Sequence, residues 1–251
     1  MTDLKAKRAA FRALHEKGFF VLPNPWDIGS VRRLEKLGFA ALASTSAGMA
    51  WTLGLEDGEV ALEDVLSHLR MLCEATDLPI NADFEAGFAD DPKEVAANIR
   101  RACDTGVAGL SIEDRTGREL YPRALAVERL QASREAIDGA GVDVVLVGRS
   151  EGFLVGRTDI DATIERLVAY ADAGADCLYA PGIQDPAHVE AVVAAVAPKP
   201  VNVLPRPKMR IADLAACGVR RVSTGGALAY AAWAAFDEAA KRLRDEAAQL
   251  S

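Results

Sequence analysis

Acidic side chains stand at the ends of several short apolar runs in this chain of 251 residues. Asp83 and Glu85 follow one run, Glu113 ends the next, and Asp57 lies in a long loop earlier in the sequence. Crowded carboxylates cannot all stay ionised without a compensating positive charge, and Mg²⁺ prefers oxygen ligands. We therefore predict a Mg²⁺ site formed by Asp57, Asp83, Glu85 and Glu113. The alternative is that Asp83 and Glu113 cap helices or pair with arginines.

One arginine and a few small polar residues accompany these acids. Arg149 ends the run VDVVLVGR, where its planar guanidinium could hold a carboxylate or phosphonate through two parallel hydrogen bonds. It could equally be the structural counterion of the acids. The segment STSAG, residues 44–48, would let backbone amides approach an anionic oxygen, and its alternative is an ordinary flexible loop. Asn202, in the run PVNVLP, is a further candidate for substrate binding, and Asn24 is a candidate by its position alone.

A repeating unit of apolar run, polar loop and amphipathic helix must position these residues. The eight runs are FFVLP (19–23), FAALAST (39–45), LPINAD (78–83), GLSIED (109–114), VDVVLVGR (142–149), DCLYAP (176–181), PVNVLP (200–205) and RRVST (220–224). Continuous Val, Ile, Leu and Ala is typical of strands buried on both faces. Eight such units predict a single (β/α)8 TIM barrel over residues 1–251. A doubly wound open sheet is the alternative, but the first run ends in LPNPWD without that fold's GxGxxG turn.

The predicted barrel would gather the distant site residues. The carboxyl ends of its strands meet on one face, so Asp83, Glu113 and Arg149 should share one pocket there. Side chains alternate along a strand, and this alternation sends Asn81, Asp83 and Glu85 inward at the same rim.

Composition narrows the class of partner and of chemistry. The net charge of −8 includes no basic block that could follow phosphates, so we expect no nucleic-acid partner. No run approaches the roughly 18 apolar residues of a membrane span, and the N-terminal segment resembles a charged amphipathic helix without a signal core. We therefore expect a cytoplasmic protein without a membrane partner. Four cysteines without CxxC spacing predict packed, reduced thiols, and three scattered histidines argue against a histidine-dependent mechanism.

Five motifs, in this order, resemble the phosphoenolpyruvate mutase/isocitrate lyase superfamily. They are NPWD, STSAG with LGLEDGE, NADFEAGF, SIEDR and VGRSE, which follow the first five predicted strands. The resemblance spans roughly residues 19–230. It implies a barrel whose eighth helix is often exchanged between paired subunits, and hence a homodimer or homotetramer. It also implies a Mg²⁺ cofactor, a small 2-oxo acid substrate, and C–C or P–C chemistry through an enolate-like intermediate.

The same resemblance assigns roles by position. The metal residues it implies are Asp83, which would bind the ion, and Asp57 and Glu113, which would hold metal-bound waters. The substrate residues it implies are Thr45, Ser46, Ala47 and Arg149, with Asp83 beside them. Glu113 and Arg149 are the residues that we expect to be catalytic.

Two departures from the family pattern bear on the activity. Asn81 stands at the first aspartate of the D-x-D motif, which leaves Glu85 as a substitute. The Lys-Lys/Arg-Cys-Gly-His loop of the lyase branch is replaced by RTGRELYPR, residues 115–123. Because its cysteine acid is missing, cleavage of isocitrate or methylisocitrate is not expected, and the mutase loop's Lys and Asn are missing too. Decarboxylation of an oxaloacetate-like acid, hydrolysis of a phosphonate, or cleavage of a small malate remain.

Several alternatives stay open. Arg115, Arg118, Tyr121 and Arg123 would supply either a substitute lid or a solvated helix start. A Schiff-base aldolase would need a lysine inside the barrel, for which Lys208 is the late candidate. STGGA, residues 223–227, has the composition of a phosphate loop, although the family resemblance favours a tight turn. A protein that binds 2-oxo acids without turnover is the non-enzyme alternative.

Overall fold

The computed structural model describes residues 3–207 and 209–250 of the chain. In chain order its strands are β1 (Phe20–Leu22), β2 (Leu42–Ala43), β3 (Ile80–Asp83), β4 (Gly109–Glu113), β5 (Arg115–Thr116), β6 (Glu119–Leu120), β7 (Val145–Arg149), β8 (Cys177–Tyr179), β9 (Val201–Val203) and β10 (Arg221–Ser223). β5 and β6 form an antiparallel ribbon, and the other eight form one parallel sheet in the order β1-β10-β9-β8-β7-β4-β3-β2. Each of the eight predicted runs therefore contributes one strand.

The two end strands of this sheet, β1 and β2, meet and close it into a barrel. The Ala43 N–H donates to the Pro23 carbonyl over 3.0 Å, just beyond the end of β1. The side-chain amide of Asn24 adds a second link, because its Nδ2 donates to the Ser44 carbonyl over 2.7 Å. The predicted (β/α)8 barrel is confirmed, and the open-sheet alternative is wrong.

Helices surround the barrel and connect its strands. They are α1 (Leu4–Glu16), α2 (Ile28–Lys36), α3 (Ser46–Thr52), α4 (Leu62–Glu74), α5 (Pro92–Cys103), α6 (Arg123–Gly139), α7 (Ile160–Asp172), α8 (Pro186–Val196), α9 (Ile211–Ala216) and α10 (Ala227–Ala248). Aspartate N-caps begin several of them, and α5 and α8 also carry proline in the first turn. These are the start signals that the sequence carries after each strand.

The apolar core has an outer and an inner layer. The larger cluster lies between the strands and the surrounding helices and includes Leu42, Ile80 and Leu146. A smaller cluster fills the barrel itself and includes Val145 and Val147 of β7. Strands with apolar side chains on both faces produce this arrangement, since alternate residues enter the two layers.

Helix α1 closes the amino-terminal end of the barrel. Its Phe11 is fully buried in the inner cluster, and Arg8 donates to the backbone carbonyls of Cys103 and Val107 over 2.7 and 3.0 Å. Gly109 is required where β4 passes this plug. A Cβ at that position would lie 2.5 Å from Phe11 Cε1 and 2.8 Å from Asn81 Oδ1.

Helix α10 leaves the barrel after the last strand. Ala229 is the buried side chain of its described residues, whereas Tyr230 is 68% exposed and Phe236 62% exposed. Trp233 and Leu243 are exposed on the same helix. An amphipathic helix normally buries its apolar face, so α10 presents apolar surface that the barrel does not cover. Across the described ranges, none of the helices has the length and apolar character needed to cross a membrane.

Candidate active site

A small polar cavity of about 170 Å³ opens at the carboxyl ends of the barrel strands. It is smaller than the roughly 300–1,000 Å³ of pockets for drug-sized ligands. The predicted site residues that line it are Thr45, Ser46, Ala47, Asp57, Asp83, Glu113 and Arg149. The barrel therefore brings these distant residues together as expected, and the cavity has room only for a small molecule.

Arg149, at the end of β7, is bound by three acids. Its Nη1 lies 2.7 Å from Asp83 Oδ1 and 2.9 Å from Glu113 Oε1, and its Nε and Nη2 both lie 3.0 Å from Glu151 Oε1. Burial would lower the pKa of Arg149, but the charges of Glu113, Glu151 and Asp83 outweigh it and hold the pKa well above its usual value. Arg149 thus offsets the charge of the three acids, and its contact with substrate stays a prediction.

Asp83 is fixed from its other side by the start of α3. Its Oδ2 accepts from the backbone N and the Oγ of Ser46 over 3.2 and 3.1 Å, and its own N–H donates to Ser44 Oγ over 2.8 Å. Thr45 is the N-cap of α3, and its side chain accepts from the Gly48 N–H. The segment is an ordered helix start, so the flexible-loop alternative is wrong.

Arg115, in the β5–β6 ribbon, is the second cation at the cavity. Its Nε lies 2.9 Å from Glu113 Oε2 and 3.5 Å from Glu151 Oε2. The ribbon corrects the alternative of a helix start, because α6 begins only at Arg123. Arg123 pairs with Glu165 on the surface. Of the suggested lid residues, Arg115 is the one that reaches the acids of the pocket.

Glu151 is a site residue that the sequence analysis did not select. Its side chain is fully buried, and its N–H donates to Asp114 Oδ1 over 2.8 Å, which fixes the turn after β7. Burial raises the pKa of Glu151 to about 8, against the opposing charge of Arg149. Its Oε2 has no hydrogen-bond partner within the described part of the chain. A buried carboxyl oxygen of this kind at a cavity is suited to holding a proton or contacting a ligand.

The acids at the mouth of the cavity repel one another. Burial, together with the charges of Asp83, Asp57 and Glu113, raises the pKa of Glu85 to about 8. Burial also raises the pKa of Glu113, opposed by Arg149. Glu85 adopts a left-handed backbone with φ of 46°, which costs free energy for a residue other than glycine. Strain and charge repulsion together indicate a rim shaped for a ligand.

The oxygen donors at this rim fit Mg²⁺, although they do not form a closed cage. Among residues 3–207 and 209–250, no three Asp, Glu, His or Cys side chains are arranged to hold a metal by themselves. Mg²⁺ usually takes one or two carboxylates and keeps several waters, so an open set of acids suits it. The observation behind this fit is that Asp57, Asp83 and Glu113 line one small cavity, where a divalent cation would offset their negative charge.

The cavity floor contains Asn81 and Arg221, inside the barrel. Nη1 of Arg221 lies 3.4 Å from Asn81 Oδ1, and its Nε donates to Asn202 Oδ1 over 2.9 Å. Asn202 in turn donates to Ser223 Oγ over 2.9 Å. Asn81 therefore shares the cavity with Asp83 as expected, but at its floor rather than its rim. Glu85, beyond the end of β3, lines the adjacent hollow instead. Alternation gave the correct face of β3, but Asn81 stands one layer deeper.

Asn24 and the STGGA segment form one structural unit. Asn24 Oδ1 accepts from the backbone N–H groups of Thr224 and Gly225, both over 2.9 Å. These amides are therefore engaged by a side chain, and the segment is the tight turn that the resemblance favoured. Asn24 ties the ends of β1 and β10 together.

The remaining expectations concern residues away from the pocket. Lys208, the Schiff-base candidate, lies outside the described residues. Cys73, Cys103 and Cys177 are buried free thiols, as the sequence predicted, whereas Cys217 is a free thiol that is partly exposed.

Comparison with known proteins gives consistent matches over nearly the whole chain. A family model described as phosphoenolpyruvate phosphomutase matches residues 11–244. An oxaloacetate decarboxylase of Rhodopseudomonas palustris (strain BisB5) is 31% identical over 259 residues, which cover 96% of this chain and 86% of that protein. An uncharacterized protein of Mycobacterium tuberculosis (strain H37Rv) is 33% identical over 241 residues, covering 94% of this chain and 89% of that protein.

The solved structures give the same result. The crystal structure of a candidate lyase/mutase from Burkholderia cenocepacia J2315 superimposes with a TM-score of 0.93 at 47% identity. The match covers 96% of this chain and 88% of that chain.

Proposed function

This chain belongs to the phosphoenolpyruvate mutase/isocitrate lyase superfamily and is an enzyme of that family, and from this premise we propose that it is a Mg²⁺-dependent lyase that acts on a small 2-oxo carboxylate. The observation that carries the proposal is the rim of the 170 Å³ cavity. There, Asp57, Asp83 and Glu113 supply hard oxygen donors, and Glu85 lines the adjacent hollow with Asp83. The guanidinium of Arg149 pairs with Asp83 and Glu113. An anionic substrate entering such a rim needs a cation to offset the acids.

Mg²⁺, when bound by Asp83 with Asp57, Glu85 and Glu113 around it, would chelate the 2-oxo carboxylate and stabilise negative charge on the oxo oxygen. The chain itself supplies orientation. Ser46 holds Asp83 by two hydrogen bonds, so the carboxylate stays aimed at the cavity. Arg149 offsets the charge of the acids and turns one guanidinium face toward Tyr179, 5.1 Å away. This preorganised charge is the largest source of catalysis expected at the site.

Bond cleavage next to a 2-oxo group leaves an enolate that must accept a proton. Glu151 is placed to donate it, because it lines the cavity, is fully buried and has one carboxyl oxygen, Oε2, without a hydrogen-bond partner in the described chain. General acids of this kind contribute about 10²–10⁴-fold to a rate. Glu151 would thus replace the cysteine acid whose absence disfavours isocitrate cleavage.

Decarboxylation of an oxaloacetate-type acid is the reaction that we favour. The support is the 31% identity to an oxaloacetate decarboxylase over nearly the full chain. The reaction converts oxaloacetate and one proton into pyruvate and carbon dioxide. Hydrolysis of phosphonopyruvate, its mutase reaction and cleavage of a small malate are the other members of the proposed class.

A second candidate function is binding of a 2-oxo acid without turnover. The β5–β6 ribbon favours it, because Arg115 is held by Glu113 and Glu151. Where the lyase branch carries its cysteine acid, this ribbon therefore carries a cation that is paired with acids of the site. Under this alternative the rim would hold metal and ligand while no bond breaks.

A product assay separates these functions. The protein is incubated with oxaloacetate, phosphonopyruvate or 2-methylmalate, with MgCl₂ or with EDTA, and pyruvate and phosphate are measured. Pyruvate formed only with Mg²⁺, and above the rate of an Asp83→Asn variant under the same conditions, supports the lyase. Mg²⁺-dependent ligand binding without product would contradict it and favour the binding protein.

For the assembly, we propose that α10 packs on a partner copy and that the protein is a homodimer or homotetramer. The support is the exposed apolar set on α10, whose Trp233 and Tyr230 line an apolar hollow with Trp51. Surface of this kind is costly unless covered.

A further inference from the structure

Arg221 is a buried cation that the proposed chemistry does not use. It begins β10, is 2% exposed, and lines the floor of the cavity below the rim acids. The other two arginines of the cavity, Arg115 and Arg149, each pair with at least two carboxylates. Arg221 therefore differs from them in what surrounds its charge.

Among the described residues, the side chains that accept hydrogen bonds from Arg221 are neutral. Its Nε donates to Asn202 Oδ1 over 2.9 Å, and Nη1 lies 3.4 Å from Asn81 Oδ1 and 3.3 Å from His15 Nε2. Nδ1 of His15 lies 2.8 Å from the Phe11 carbonyl, which requires the proton on Nδ1 and leaves Nε2 as the acceptor. The imidazole is neutral, because burial and the charge of Arg221 lower the pKa of His15 to about 3.

No carboxylate in the described ranges forms an ion pair with Arg221. A buried charge without a counterion is costly, and a chain that keeps one usually pairs it with something. Three residues, His15 of α1, Asn81 of β3 and Asn202 of β9, nevertheless hold this guanidinium at the floor of the cavity. The missing partner is an anion, and the cavity is the place from which an anion can arrive.

We infer that Arg221 is a second anion-binding residue, which selects 2-oxo acids that carry a distal carboxylate over those with a single carboxylate. The inference rests on the proposed function and deepens it by naming the substrate class. The 2-oxo carboxylate end belongs at the rim with Asp83, and the distal carboxylate points down toward Arg221. Arg221 also orients Asn202, whose Nδ2 donates to Ser223 Oγ at the cavity wall.

The test compares two ligands that differ only by the distal carboxylate. Malate and lactate are 2-hydroxy analogues without a decarboxylating 2-oxo group, and their dissociation constants are measured by calorimetry with saturating MgCl₂. The wild-type protein should bind malate at least about tenfold more tightly than lactate. Arg221→Met should lose this preference and keep lactate affinity, while Arg221→Lys, which retains the charge, should restore part of it.

Matched variants make the outcomes distinct. Arg220→Met, next in the chain and bonded to the Gly18 carbonyl near the surface, should leave the malate preference unchanged. Equal wild-type affinity for malate and lactate would overturn the inference while leaving the proposed function standing. Equal losses for both ligands in Arg221→Met would overturn it in favour of a structural role. If Arg221→Met does not fold, as judged by circular dichroism, Arg221→Lys and the wild-type ratio decide. If the wild-type protein binds neither malate nor lactate and also does not bind oxalate, the proposed function itself is contradicted.

Discussion

Arg149 Nη1 lies 2.7 Å from Asp83 Oδ1, a contact that joins residues 66 positions apart in the chain. The same nitrogen lies 2.9 Å from Glu113 Oε1. Arg149 therefore offsets the charge of both Asp83 and Glu113, which are two of the metal-site residues that the family resemblance implies. Arg149 and a bound Mg²⁺ would share this negative charge, and this sharing has measurable consequences.

Loss of Arg149 should make the fold dependent on Mg²⁺. In Arg149→Ala, Asp83, Glu113 and Glu151 lose their common counterion, and breaking a buried pair costs about 3–5 kcal/mol. Mg²⁺ should return part of this stability, so urea unfolding with and without MgCl₂ should show a larger metal effect in the variant than in the wild type. Arg123→Ala, which breaks the exposed pair with Glu165, is the control. If Mg²⁺ stabilises Arg149→Ala and the wild type equally, Arg149 and Mg²⁺ do not share the charge of these acids.

Replacement of Glu151 should separate binding from turnover. Glu151→Gln keeps the shape of the side chain but cannot donate the carboxyl proton, so kcat should fall by about 10²–10⁴-fold. Oxalate affinity should change little, since Glu151 is not among the metal residues. Steady-state kinetics and calorimetry on Glu151→Gln, beside the surface control Glu119→Gln, measure both quantities. An unchanged kcat would exclude Glu151 as the proton donor.

The burial of His15, together with its contact with Arg221, should make stability depend on pH. The unfolded chain protonates His15 near its ordinary pKa of about 6.5, whereas the folded protein does so only near 3. Between these values the unfolded state holds more protons. The free energy of unfolding should therefore fall with decreasing pH, by up to about 1.4 kcal/mol per unit for this group.

Unfolding in urea at pH 7 and at about pH 5 tests this prediction. His15→Gln should reduce the difference between the two pH values, and His188→Gln, in α8, should not. The prediction is wrong if both variants keep the wild-type pH dependence.

The apolar face of α10 should hold the oligomer together. Phe236 is 62% exposed in the single chain, and an aspartate at its place would put a charge into the proposed interface, where desolvation is costly. Phe236→Asp should shift the protein toward the monomer in size-exclusion chromatography with light scattering. Ala231→Asp, which adds the same charge to an exposed position on the other side of the same helix, separates an interface effect from a charge effect. A wild-type monomer would contradict the proposed assembly.

The barrel was predictable because its strands are buried on both faces. Continuous apolar runs such as VVLV before Arg149 identify such strands without any knowledge of their partners. The convergence of Asp83, Glu113 and Arg149 then follows from the geometry of a parallel barrel. The depth of Asn81 did not follow, because alternation defines the face of a strand but not the layer at which a side chain stands.

Two important residues escaped the sequence analysis for physical reasons. Glu151 stands beyond the end of β7, and a turn fixed by Asp114 brings it into the cavity; no periodic pattern extends that far. Arg221 follows Arg220, and such a pair resembles a solvated strand start. The available signal was alternation, which places Arg221 and Ser223 on the same inner face of β10.

The central claim is that Asp83 anchors a Mg²⁺ that holds a 2-oxo acid, and calorimetric titration of oxalate tests it most directly. Oxalate mimics an enolised 2-oxo acid, and it should bind the wild-type protein with MgCl₂ but not with EDTA. Asp83→Asn should weaken this binding by at least about 100-fold, which corresponds to ~2.7 kcal/mol, while the surface variant Asp172→Asn should bind as the wild type does. Oxalate binding of equal strength in Asp83→Asn, or in the presence of EDTA, would contradict the claim.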